Sequence, residues 1–203
     1  LYEGMKAFDY KFFESKPYNK YKEILIRNGG NDNDSQAHGR IKDAIIQQTL
    51  STSGIYVDCQ ALQPAHVFFN GKYIGMLNLR DPSNKYFGTA NYGYDKDNID
   101  AYEYAGGYFQ KAGDNKAFGE WVSLAANASS DAIYQVLRDK VDIDEYANFV
   151  AAITYIGSSD WICNSNNLKG FRSKDNGRFH TTLFDVDWGF SNPRGLSQLY
   201  NSN

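Results

Sequence analysis

The apolar positions of this chain follow two rhythms, and the change from one to the other divides it. Residues 22–27 alternate, with Ile24 and Ile26 on one face, and predict a strand ending at Asn28-Gly29-Gly30. Residues 67–69 and 72–80 are apolar runs separated by Asn70-Gly71. That pair tolerates positive φ at both turn positions, so it predicts a two-residue β-hairpin closed by Pro82. Between these strands, Ile41, Ile45, Ile46, Thr49 and Leu50 recur at helical spacing. They predict a helix over residues 36–52 that starts near Ser35 and stops at Gly54. Residues 83–92 predict a short helix, and residues 95–100 a turn.

From residue 116 the longer period takes over. Phe118, Trp121, Val122, Leu124 and Ala125 mark one amphipathic helix, and Ile133, Val136, Leu137 and Val141 mark another. A third begins near Ile143, carries Tyr146, Phe149, Val150, Ile153 and Ile156, and ends at Gly157. Two more strand-like runs, 168–172 and 179–184, flank the turn Lys174-Asp175-Asn176-Gly177. The class is α+β, with a strand-rich N-terminal part and a helical C-terminal part closed by a hairpin.

Composition narrows the function classes. The 203 residues suffice for one domain with its own core. A formal charge of −3, spread along the chain, argues against the basic footprint of a nucleic-acid binder. A mean hydropathy of −0.58, without a long apolar run, argues against a membrane span. Two cysteines, Cys59 and Cys163, form neither a disulfide framework nor zinc spacing and read as separate buried thiols. His38, His66 and His180 are too scattered in sequence for a metal site.

The chemistry concentrates between residues 160 and 190. Asp160-Trp161 is followed by Asn164, Ser165, Asn166 and Asn167, and the strand-like run to Phe184 delivers Asp185 and Asp187. On a strand, residues i and i+2 point to one face, so the two carboxylates are expected to project together. Like charges that close need a partner, and a divalent cation is the usual one. Both acids also lie among Leu183, Phe184, Val186, Trp188 and Phe190, where an unpaired charge is costly. Asp32 and Asp34, in the loop 31–35, fit turn and helix-cap chemistry better than a calcium loop, lacking its length and terminal Glu.

Five motifs, in order, resemble the spore coat protein H (CotH) kinase family of atypical, secreted or surface kinase-like proteins. They are Arg27-Asn28-Gly29-Gly30-Asn31-Asp32; Arg40 with Asp43; Phe69-Asn70-Gly71-Lys72-Tyr73-Ile74-Gly75 followed by Asn78-Leu79-Arg80; Asp160-Trp161 with Asn166-Asn167; and Phe184-Asp185-Val186-Asp187-Trp188-Gly189-Phe190. The resemblance covers residues 22–191. It implies a single kinase-like domain over 1–203, lacking upstream and downstream portions, that uses Mg²⁺ and ATP. In that family's terms Asp160 orients or deprotonates the acceptor hydroxyl, and Asn166 or Asn167 with Asp185 and Asp187 hold the metal. A phosphate-facing cation is also required. Arg27 is one candidate, and Lys6, Lys11 and Lys72 are candidates by charge alone; Lys72, in a tight hairpin, reads better as a solvated turn residue. Many members place a Glu after the hairpin, where this chain has Arg80-Asp81, and an upstream lysine-rich segment finds no match in residues 1–21.

Three functions follow. The first is Mg²⁺/ATP-dependent transfer to Ser or Thr of an extracytoplasmic, secreted or cell-surface protein substrate. The second is a catalytically inactive surface or structural binding module of the same fold. The third, a nucleotide-sugar transferase using Asp-x-Asp, lacks a supporting glycine-rich fingerprint.

Overall fold

The computed structural model of the chain describes residues 6–33, 39–158, 160–161, 166–175 and 177–190. Ten strands and five helices are found among them. β1 (Phe8–Asp9) and β2 (Lys20–Tyr21) form a small antiparallel pair. Next come β3 (Leu25–Arg27), α1 (Lys42–Thr52), β4 (Asp58–Cys59), β5 (Gln63–Phe69), β6 (Lys72–Arg80) and α2 (Lys85–Tyr92). The rest are β7 (Ile99–Tyr104), β8 (Tyr108–Ala112), α3 (Lys116–Ala126), α4 (Asp131–Lys140), α5 (Ile143–Ile156), β9 (Leu168–Ser173) and β10 (His180–Leu183).

These strands make two larger sheets. One is antiparallel, ordered β3-β6-β5, and contains the expected hairpin with Asn70 at φ 50° and Gly71 at φ 78°. The other is ordered β4-β10-β9-β7-β8, parallel only between β4 and β10. The α+β class stands.

The expected elements need three corrections, two of them to the first helix. The first helix starts at Lys42 instead of near Ser35. Arg40 adopts the left-handed conformation (φ 58°), which a continuing helix does not tolerate. Ile41, at the N-cap position, offers no side-chain acceptor. Asp32 supplies it from the preceding loop, accepting from the Lys42 amide at 2.5 Å, so its expected capping role is realised at long range. The buried face of α1 also differs: Asp43, Ala44, Ile46, Gln47 and Leu50 turn inward, while Ile45 is half exposed. Finally, the hairpin β7–β8 was absent from the expected elements. β7 lies between β9 and β8 and buries four consecutive residues, Ile99 to Tyr102, so no period-two signal marks it.

The main core lies directly behind the turn after β10. It gathers Ile46 and Leu50 of α1, Phe149, Ile153 and Ile156 of α5, Leu183 of β10, Trp161, and Val186. Val186, between the two aspartates, is 1 % exposed and anchors them by packing. Gly189 closes that turn because a Cβ there would stand 2.5 Å from Ile46 Cδ1. Its amide donates to Val186 O at 2.9 Å, and Phe190 N donates to Ile156 O at 2.6 Å, tying the turn to the end of α5.

Candidate functional site

Five separate pieces of chain converge in front of this core. α5 ends at Gly157 in the left-handed conformation (φ 61°), whose amide caps the carbonyls of Ile153 and Thr154. Asp160 follows three residues later. Its carboxylate is held from both sides: Asn166 Nδ2 donates to Oδ1 at 2.6 Å and Asn167 Nδ2 to Oδ2 at 3.0 Å. Asn167 Nδ2 also reaches the Asp160 carbonyl at 3.0 Å and the Asp185 carbonyl at 3.4 Å, so one side-chain amide joins the two aspartates' backbones. Asn167 is itself left-handed (φ 52°), which turns the chain into β9.

Asp185 and Asp187 converge, but not by the pleat of a strand. β10 ends at Leu183, and Asp185 adopts φ 51°, so the pair belongs to a turn. The left-handed residue, with Val186 buried behind it, brings both carboxylates to one nitrogen. Arg27 Nη2 donates to Asp185 Oδ1 and, at 3.0 Å, to Asp187 Oδ2. The partner that the like charges require is thus supplied by β3. The glycines after β3 permit this approach: Gly30 (φ 59°) lies so close that a Cβ would fall 2.3 Å from Asp187 Oδ2, and the Asn31 amide donates to that oxygen at 2.8 Å. Asp187 Oδ1 is buried with no hydrogen-bond partner, whereas the Asp185 side chain is 26 % exposed.

Behind Arg27 stands a second tier: Asp43 and Arg80 are among the named motifs, but no role in the site was legible for them from sequence. Asp43, in the first turn of α1, faces Arg27 Nε at 3.6 Å and binds Arg80 Nη2 through the same oxygen. Its other oxygen accepts from Gln47 Nε2 and from the Val186 amide, each at 3.1 Å. Gln47 Oε1 accepts from the Gln60 amide at 2.7 Å, and Gln60 Nε2 donates to Asp81 O at 2.7 Å. Asp81 holds the Ala61 amide at 2.5 Å and lies 3.7 Å from Lys16 Nζ. The signal available in sequence was two polar residues at i and i+4, Asp43 and Gln47, on a helix with weak amphipathicity.

The charges respond to this packing. Burial alone would lower the Arg27 pKa, but Asp43 and Asp185 outweigh it and raise it. For Arg80, with no exposed surface, burial outweighs Asp43 and lowers it. Asp185 is raised by burial and by Asp187 against the pull of Arg27.

Of the predicted residues, the structure brings together Arg27, Asp160, Asn166, Asn167, Asp185 and Asp187. Lys72 stands apart: it pairs with Phe69 at the exposed end of the β5–β6 hairpin and makes no ion pair with this cluster among the described residues. Cys59 is a buried free thiol, while Cys163, His38, Asp34, Asn164 and Ser165 lie outside the described residues. His66 is exposed beside Tyr73, and His180 is buried in β10, where it meets carboxylates from two other elements.

A strand-borne cation thus ties an acid in the first turn of a helix to acids in the turn after a hairpin, across from an Asp–Asn loop. In a comparison with family models, the one described as "CotH kinase protein" matches residues 3–202, and the chain belongs to the CotH kinase family. It is a kinase-like domain. A search of the curated proteins finds no match.

Proposed function

We propose that this domain transfers a phosphoryl group from Mg²⁺-ATP to a hydroxyl of a protein substrate. The observation that carries the reading is the Asn167 amide, which holds Asp160 and the Asp185 backbone in one unit. That contact sets a proton acceptor beside a metal-binding carboxylate. The residues fit a hard cation. Asp187 Oδ1 is buried without a partner, Asp185 is partly open, and both Asn166 and Asn167 turn their amide nitrogens to Asp160, which leaves their oxygens as donors. Asp185, Asp187 and Asn166 or Asn167 would hold Mg²⁺, which neutralises phosphate charge when bound.

The chain's own groups do the rest. Asp160, fixed by two amides, accepts the proton of the attacking hydroxyl. Arg27 faces the phosphates as the cation and is kept in place by Asp43, the part played in protein kinases by a strand lysine and a helix glutamate. Lys72, at the hairpin tip, is left with at most an outer electrostatic role. Protein Ser or Thr as acceptor, and an extracytoplasmic setting, follow from the family's character. No helix among the described residues is long and apolar enough to cross a membrane.

A second reading, a non-catalytic binding module, is favoured by one observation. Arg27 already pairs with both Asp185 and Asp187, so the fold does not need a metal to keep them together. The two readings separate on transfer of labelled phosphate from ATP to a generic basic protein or to the chain itself. The phosphotransfer reading expects Mg²⁺-dependent incorporation, reduced at least about 100-fold in Asp160→Asn. Incorporation that is absent in the wild type, or unchanged in Asp160→Asn, would leave the binding module.

A further inference from the structure

A second cluster of ligating groups lies outside the site above. Asp58 of β4, Glu145 in the first turn of α5 and His180 at the start of β10 each offer one donor atom, and the three atoms lie within 4.8 Å of one another. They come from three elements far apart in sequence, brought together because β4 pairs in parallel with β10 and α5 packs across β10. We propose that Asp58, Glu145 and His180 form a three-ligand binding site for a borderline divalent cation of the zinc type, with one coordination position left open.

The arrangement around the triad is that of a ligand set with its supports. Glu145 has no exposed surface. Its Oε2 meets His180 Nδ1 at 2.9 Å and the Thr181 amide at 3.3 Å, while its Oε1 is buried with no hydrogen-bond partner among the described residues. Tyr92 OH donates to Asp58 Oδ2 at 3.0 Å, the kind of second contact that fixes a ligating carboxylate. Tyr94 OH lies 3.4 Å from His180 Nε2, so it can accept the proton of that nitrogen when Nδ1 serves as the ligand. Asp58 also lines a cavity of about 260 Å³ shared with Gln48, Ser51 and Thr52.

Charge balance points the same way. Among the described residues no lysine or arginine forms an ion pair with Asp58 or Glu145. A buried carboxyl and a half-buried one so placed hold a proton between them or a cation. An imidazole with two carboxylates selects zinc-type ions over Mg²⁺, which prefers all-oxygen sites such as that of Asp185 and Asp187. Zinc bonds of about 2.1 Å place ligand atoms roughly 3.4 Å apart in a tetrahedron, so the triad closes on the ion by side-chain movement alone. A bound ion would pin the start of α5 to the β4–β10 pair.

The test uses the purified chain, stripped with chelator and titrated with zinc chloride, with bound metal counted by mass spectrometry after desalting. The proposal expects one equivalent of zinc, a Tm rise of about 5–10 °C at saturating metal, and loss of both in Asp58→Asn and Glu145→Gln. Asp185→Asn should keep the zinc, which separates this site from the phosphotransfer site. Failure of a variant to fold leaves the wild-type count decisive. A folded wild type that retains no stoichiometric zinc, or Asp58→Asn retaining a full equivalent, would overturn it in favour of a shared proton.

Discussion

Asp43→Ala tests the second tier of the site most severely. The carboxylate is 4 % exposed, and its removal strips four partners at once: Arg27, Arg80, Gln47 and the Val186 amide. Arg80 is the costly one. It has no exposed surface, its Nε and Nη1 already lack hydrogen bonds, and Asp43 is its only ion-pair partner among the described residues. Leaving a buried charge without its counter-ion costs about 3–5 kcal/mol, a fifth or more of the roughly 5–15 kcal/mol that holds a domain folded. With an m-value of about 2 kcal/mol/M, the urea midpoint falls by roughly 1.5–2.5 M. Arg80→Met removes the stranded charge, so in the double variant the loss should be at least about 1 kcal/mol smaller than the sum of the singles. Equilibrium urea unfolding followed by tryptophan fluorescence reads all four proteins. A midpoint shift below about 0.5 M for Asp43→Ala, or strict additivity with Arg80→Met, would refute the buried-pair account.

Other outcomes follow from the same geometry. Gly30→Ala forces a Cβ against Asp187 Oδ2 in a left-handed residue, so it should cost about 1–3 kcal/mol and weaken metal-nucleotide binding, read by unfolding and by titration. Trp161→Ala should cost about 3–5 kcal/mol in the same unfolding assay, because the indole is 2 % exposed among the core side chains behind Asp160. Lys72→Ala should leave stability within about 0.5 kcal/mol and phosphate transfer unchanged, since its side chain stands on an exposed hairpin end. A tenfold loss of transfer in that variant would restore Lys72 as the phosphate-facing cation.

Elements with strong local signals were legible in the chain. Asn70-Gly71 announced its hairpin because only a primed turn joins strands with two residues, and the helices α3, α4 and α5 announced themselves by period. What depended on distant partners was not legible. β7 shows no alternation because both its faces are covered, and Asp100 within it is satisfied by Arg172 and Lys174 from another part of the chain. The face of α1 was misassigned for the same reason. Asp43 turns inward only because Arg27 and Arg80, brought in by the β3–β6 sheet, neutralise it there. The candidate site itself was readable residue by residue. Its means of convergence was not: Asp185 reaches Arg27 through a left-handed backbone that no local pattern specifies.

The central claim is that Asp160, Asn167, Asp185, Asp187 and Arg27 form a metal-nucleotide site. Calorimetric titration of ATP into the chain, with Mg²⁺ and with chelator, and again into Asp185→Ala, tests it most directly. The account predicts one binding event per chain that requires Mg²⁺ and disappears in a folded Asp185→Ala. No heat of binding in the wild type, or undiminished affinity in Asp185→Ala, would contradict it.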